Sequence, residues 1–356
     1  MRIGTYKRQL DGFRCVRPVA ALVAALVAIP VSAHHSRAHF VLDDTIEIEG
    51  TVTELSWSSP HVYVVVDGVD ESGVRASWTL EGHSIPGFLR VGWQRDSVEV
   101  GDRVLVVAHP NRDPAKPFAM LYSATLDDGA TYYAYAIPEG KSVAGVEDRR
   151  PAAPSTDFSG TWRHLVPVRV ATIESYRAPT EWPLTPLGRA QAEHFDLNDD
   201  PVLDCVPMGV PRLILATYSH RWQRFEDRIV IEKERTPQIR TIYLDGRAQP
   251  ADFTPTELGF SVGRIEPDGT LVVETSGFAA TPWGNARGLD SSEQKSVIER
   301  YRLVDGGYAM SVSYTIDDPM YLSEPVTVNG EYAKSSDFEF VAEVCDPATA
   351  RRHLRY

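Results

Sequence analysis

Cysteine is scarce, with three in 356 residues, at positions 15, 205 and 345. No Cys-x-x-Cys occurs, which excludes a zinc ribbon and a thioredoxin-type dithiol. The chain has neither a Gly-rich phosphate loop nor a His-Glu-x-x-His pair, so the P-loop and zincin readings fall away. Positive charge is short: 36 Lys+Arg stand against 49 Asp+Glu, a formal charge of −13. A body this acidic repels phosphate backbones and anionic lipid, so nucleic acid is not an expected partner. Beyond the first thirty-three residues no apolar run is long enough to span a bilayer, which takes about 20 residues. Strands alternating with helices, the pattern of a parallel α/β sheet, are missing too.

The one sustained apolar run comes at the start. Arg2, Lys7, Arg8, Arg14 and Arg17 precede Val19–Val31, which only Pro30 interrupts, and Val31-Ser32-Ala33 supplies small residues for cleavage. Residues 1–33 therefore read as a signal peptide, and the mature protein is expected to be periplasmic or secreted. This segment carries five basic residues and one acid, so its removal leaves 31 Lys+Arg against 48 Asp+Glu, formally −17. Cys15 leaves with it. Cys205 and Cys345 remain in an oxidising compartment, where a disulfide between them is expected.

Hydrophobic residues make up 43% of the chain and charged residues 24%, a globular balance with enough length for two domains. Residues 34–136 alternate in short β-branched runs at 45–55, 62–66, 74–80, 104–108 and 118–126, with one short helix expected around Ile85–Val91. That pattern predicts a small OB-like barrel. Residues 137–157 are polar and rich in Pro, Ala and Ser, and read as a linker between independently folding units. In residues 158–349 the pattern restarts with Ser159-Gly160-Thr161-Trp162, and a helix is expected at Pro186–Phe195, capped by Thr185. Strands follow at 222–225, 229–233, 239–244, 259–265, 271–275, 296–303, 308–316, 326–332 and 338–344. Asp268-Gly269 and Asp305-Gly306-Gly307 join neighbours as hairpin turns. The fold class is all-β: a small OB-like barrel, then an antiparallel up-and-down barrel of 8–9 strands. Residues 350–356 read as a tail.

The first domain resembles an uncharacterised family of exported bacterial proteins. The resemblance rests on His34-His35-Ser36, Gly50-Thr51-Val52-Thr53, Trp57-Ser58-Ser59-Pro60-His61, Arg90-Val91-Gly92-Trp93 and Gly101-Asp102. The second domain resembles an uncharacterised exported family of lipocalin-like character. Its matching stretches are Leu184–Gly188, Asp200-Pro201, Cys205-Val206-Pro207, Pro211-Arg212, Ile242–Arg247, Leu271–Phe278, Glu299-Arg300-Tyr301 and Thr315–Pro319. That second pattern has histidine where Phe260 and Ser291 stand here. Neither resemblance implies an established activity.

Two groups of residues are candidates for chemistry. Six of the ten histidines fall between His34 and His109. Cleavage after Ala33 would give His34 a free amine beside its own imidazole, and His61 would add a third nitrogen, a set suited to Cu(II). His35 and His109 are supporting ligands in that reading, and copper is the expected metal. The second group lies on the later strands: Tyr218, His220, Trp222, Arg240, Tyr243, Arg264, Glu274, Glu299, Tyr301 and Tyr314. Some of these, pointing into a barrel, would hold a small hydrophobic molecule by a few polar anchors. Three function classes follow. The first is a binding protein for such a molecule, for copper, or for both. The second is a periplasmic enzyme acting on a hydrophobic small molecule in that barrel, with a Glu–Arg or Tyr–Glu pair inside for acid–base work. The third is a structural or assembly factor of the cell envelope. Nothing in the sequence bears on oligomeric state.

Overall fold

The computed structural model describes residues 39–58, 60–135, 153–164, 178–214, 216, 218–234, 238–335, 340–343 and 345–355. Residues 1–33, read from sequence as a signal peptide, His34, His35 and most of the expected linker lie outside the described residues.

Period-two alternation builds the first barrel. On β1 (Ile46–Ser56) Ile48 and Val52 are buried while their neighbours face water. β2 (Tyr63–Asp70) and β3 (Arg75–Glu81) continue the meander, antiparallel throughout. Helix α1 (Ile85–Arg90) follows, with the Ser84 hydroxyl accepting from Gly87 N and Pro86 in the first turn. β4 (Arg103–His109) returns to pair with β1, and β5 (Phe118–Leu126) pairs antiparallel with β4 and parallel with β3, which closes five strands. A short β6 (Thr131–Tyr133) lies on β5. Helix position and closure are those of an OB-like barrel, as the sequence predicts.

The second barrel has nine strands in the order β10-β11-β12-β15-β16-β17-β7-β8-β9, closed on itself. These are β7 (Gly160–His164), β8 (His220–Arg224), β9 (Arg228–Lys233), β10 (Gln238–Tyr243), β11 (Phe260–Ile265), β12 (Leu271–Ser276), β15 (Ser296–Val304), β16 (Ala309–Asp317) and β17 (Val326–Ser335). Its neighbours pair antiparallel except β10 and β11, which run parallel because the chain between them crosses over before re-entering the sheet. Helix α2 (Pro186–Glu193) has the expected cap: Thr185 Oγ1 accepts from Gly188 N. A hairpin of β13 (Thr281–Ala286) and β14 (Leu289–Ser291) lies outside the barrel wall.

Membership of the barrel differs from the sequence reading in one place. A strand is expected at 338–344, yet the ninth position is taken by β7, and residues 340–343 form no strand. The register explains this. Tyr332–Ser335 already pairs with Thr161–His164, so the wall is complete before residue 338. Gly160 permits that closure. It sits at φ 125°, and a Cβ there would collide with Lys334 Nζ, which donates to Ser159 O and lies over the Trp162 ring. The chain leaving β17 runs instead to the Cys205–Cys345 disulfide, whose Cα atoms are 5.8 Å apart, and to α3 (Pro347–Ala350).

Residues 33–356 cluster as one compact unit. Arg90 of α1 donates to Glu234, just beyond β9, at 2.9 and 3.0 Å, and to Ser219 Oγ at 2.7 Å. Residues after the disulfide reach back as well: Ser58 Oγ donates to Thr349 Oγ1 at 2.9 Å, and Arg352 pairs with Glu54. Among the described residues no helix is long and apolar enough to cross a membrane.

Candidate functional site: the interior of the nine-stranded barrel

Alternation carries polar side chains inward along with the apolar ones. On β15 Val297, Glu299 and Tyr301 are buried and the residues between them face out. On β9 the inward phase is Ile229, Ile231, Lys233, and on β10 it is Gln238, Arg240, Ile242. β12 adds Thr275, β8 adds His220 and Trp222, β16 adds Tyr314, and β17 adds Tyr332. The barrel core is therefore apolar with buried polar groups set among the apolar side chains.

Arg240 and Glu299 form one of these groups. The guanidinium grips the carboxylate with both terminal nitrogens, and it also donates to Ser261 Oγ at 3.0 Å and Thr275 Oγ1 at 2.9 Å. Tyr301 OH donates to the same carboxylate. Burial pulls the Arg240 pKa down, but the adjacent Glu299 charge outweighs it and the net shift is upward. Burial, then Glu299, pushes the Tyr301, Tyr314 and Tyr332 hydroxyls up, so all three stay protonated.

A second cluster of donors lies beside this pair. Trp222 Nε1 donates to His220 Nδ1, which fixes the proton of the neutral ring on Nε2. That Nε2 is buried with no hydrogen-bond partner among the described residues. Burial, Lys233 and His164 hold the His220 pKa well below the ordinary imidazole value. Lys233 is buried; burial and the Arg240 charge bring its pKa down to about 7, against an opposing pull from Glu299.

Val210, Leu213 and Ile214 complete the lining. With His220, Trp222, Ile231, Lys233, Arg240, Tyr301 and Tyr332 they enclose a cavity of about 10 Å³, room for about one water. Lys233 Nζ donates to Leu213 O at 3.2 Å, Lys295 Nζ to Val210 O at 2.7 Å, and Tyr332 OH to Ile214 O.

Of the residues singled out from sequence, His220, Trp222, Arg240, Glu299, Tyr301 and Tyr314 converge in this interior. Arg264 and Glu274 do not: they lie on the outer face and pair with each other at 2.6 Å. Tyr243 stacks on Phe260 and under Arg247, outside the centre. Tyr218 is half-buried ahead of β8. Lys233, Ser261, Thr275, Tyr332 and His164 were not anticipated. The phase of β9 offered the signal for Lys233, since it continues the Ile229, Ile231 series. Gly259-Phe260-Ser261-Val262-Gly263 has the spacing of a hydrolase nucleophile elbow, but it lies within or beside β11. Ser261 accepts from Arg240 and is 3.0 Å from Thr275 Oγ1, so its surroundings are not those of an activated serine.

In the first barrel, His61 Nδ1 lies 3.3 Å from Gly82 O and 3.8 Å from the buried Glu81 carboxylate. His109 Nδ1 lies 2.8 Å from Asp44 O. Among the described residues no three His, Cys, Asp or Glu side chains gather as a metal site. His34 and His35 lie outside the described residues.

No curated protein matches the chain. One family profile, described as a family of unknown function (DUF6152), matches residues 22–118, so the similarity covers most of the smaller barrel and leaves the nine-stranded one outside it.

Proposed function

We propose that the nine-stranded barrel binds a small molecule with an apolar body and an oxygen-bearing, preferably anionic, head. One observation carries this reading: buried donor residues line a single interior cavity. Lys233, His220 and Tyr332 all border it, while the Glu299 carboxylate is already taken by Arg240 and Tyr301. With Arg240 and Glu299 cancelling, Lys233 leaves the centre one positive charge in excess when protonated. A carboxylate head answers that charge, and Trp222, Ile231 and Tyr301 offer apolar surface for the body. The engagement of Glu299 favours binding over acid–base catalysis, because a carboxylate gripped by a guanidinium is a poor proton acceptor. Native mass spectrometry of protein purified from the periplasm tests the reading. Expected is a non-covalent adduct that organic solvent extracts as an apolar acid; a ligand-free mass that no added apolar acid shifts would sink it.

A second reading concerns copper at the mature N-terminus. It is supported by His61, whose Nδ1 lies 3.3 Å from Gly82 O and 3.8 Å from the Glu81 carboxylate, oxygens of the kind that orient a ligand imidazole. His34 would supply amine and imidazole, with His35 or His109 in support. Adding one residue before His34, or replacing His61 with Ala, should each weaken Cu(II) binding sharply. Unchanged affinity in both variants would reduce the histidines to a solvated cluster.

A further inference from the structure

Met208–Ile214 occupies the barrel interior without belonging to its wall. No strand ladder holds the segment. Val210 N donates to Glu257 O at 3.1 Å, while Leu213 N and Ile214 N bond within the segment, to Gly209 O and Pro211 O. Single side-chain bonds reach its carbonyls, Gln238 to Met208 O, Lys295 to Val210 O, Lys233 to Leu213 O and Tyr332 to Ile214 O, while Arg212 pairs with Asp200 and lies over the Trp283 ring, a fixed point about which Leu213 and Ile214 move. Val210, Leu213 and Ile214 are almost fully buried.

The segment thus has the chemistry of a ligand. Three branched apolar side chains fill the space beside Trp222 and Tyr301, and a row of oxygens satisfies donors that would otherwise be buried unpaired. Resting on the ligand-binding reading above, we infer that Met208–Ile214 is a built-in occupant of the barrel that competes with an apolar carboxylate for the same donors. The cavity of about 10 Å³ is then that of the closed state. Withdrawal of Leu213 and Ile214 exchanges their carbonyls for the carboxylate of the ligand, so Lys233 and Tyr332 keep acceptors in both states. The Cys205–Cys345 disulfide anchors the chain just before the segment, which confines the movement to a few residues.

Competition of this kind lowers apparent affinity by the fraction of protein that is open. The test uses the full-length oxidised protein and a conjugated polyene C18 fatty acid, whose emission rises in an apolar site. Leu213→Ala loosens the occupant and should tighten probe binding about tenfold. In the wild type, saturating probe should accelerate hydrogen exchange at the Leu213 and Ile214 amides while Ile231 and Ile242 stay protected. Saturable binding with neither change would make the segment a fixed part of the wall and overturn the inference, leaving the ligand-binding reading intact. Absence of binding in both proteins would sink that reading and this inference with it. If Leu213→Ala fails to fold, the exchange result on the wild type decides.

Discussion

Arg240 and Glu299 depend on each other because neither reaches water. Replacing Arg240 with Met strands the carboxylate, and such losses cost about 3–5 kcal/mol. The urea midpoint of Arg240→Met should fall accordingly, and adding Glu299→Gln should recover part of the loss, because the stranded charge goes. Lys233 and Lys295 govern pH dependence. Burial lowers both to about 7 from 10.5, against the opposing pull of Glu299 on one and Asp318 on the other. Below about pH 7 both folded and unfolded chains carry these protons, and the cost of burying the charges is felt in full. Between about 7 and 10.5 the unfolded chain holds more protons than the native one, so these lysines make stability rise with pH through that window. Above about 10 the buried tyrosines, whose folded pKa values are raised, oppose the gain. Urea midpoints should therefore be higher at pH 9 than at pH 7, and by a smaller margin in Lys233→Met. His164, held down to about 4 by burial and the Lys233 charge, adds the same sign of dependence between pH 4 and 6.5.

Among the elements, the disulfide is the simplest to probe. It joins positions 140 residues apart, and the chain-entropy relation gives such a loop about 4–5 kcal/mol. A Cys205→Ser, Cys345→Ser double variant should unfold at a markedly lower temperature than the oxidised protein, and equal midpoints would show that native packing alone fixes those ends. The pairing was legible from the cysteine count together with the expected export, and the helix at Pro186 from its cap, Thr185. Most strands were legible from period two and from hairpin turns such as Asp268-Gly269. Barrel closure was harder to read. β7 is five residues long with no clear alternation, and whether it or the 338–344 stretch takes the last place depends on long-range register, which short patterns do not encode. The site was half legible for a similar reason. Polar residues on strands flagged His220, Arg240, Glu299 and Tyr301, but face assignment requires the phase of each strand. Arg264 and Glu274 were thus grouped with residues from which the wall separates them. Met208–Ile214 gave no periodic signal, since it is neither strand nor long helix.

At the scale of the whole molecule the two barrels share charged contacts. Arg90 reaches Glu234, whose pKa is raised by burial, and the partnership of Arg90 and the Ser219 amide opposes that rise. A fragment of residues 158–356 should still unfold cooperatively, because its barrel closes on its own strands, but at a lower denaturant midpoint than the full chain. Arg90→Met in the full chain should reproduce much of that shift, by about 3–5 kcal/mol for a buried charge left unpaired. The nine-stranded interior is proposed to receive an anionic apolar ligand at Lys233. Titration of the polyene C18 fatty acid into wild-type and Lys233→Met protein at pH 6.5 tests it most directly, since Lys233 is mostly protonated there. Saturation near one molecule per chain is expected in the wild type and binding about tenfold weaker in the variant, a loss of about 1.4 kcal/mol. No saturable binding, or equal affinity in the two proteins, would contradict it.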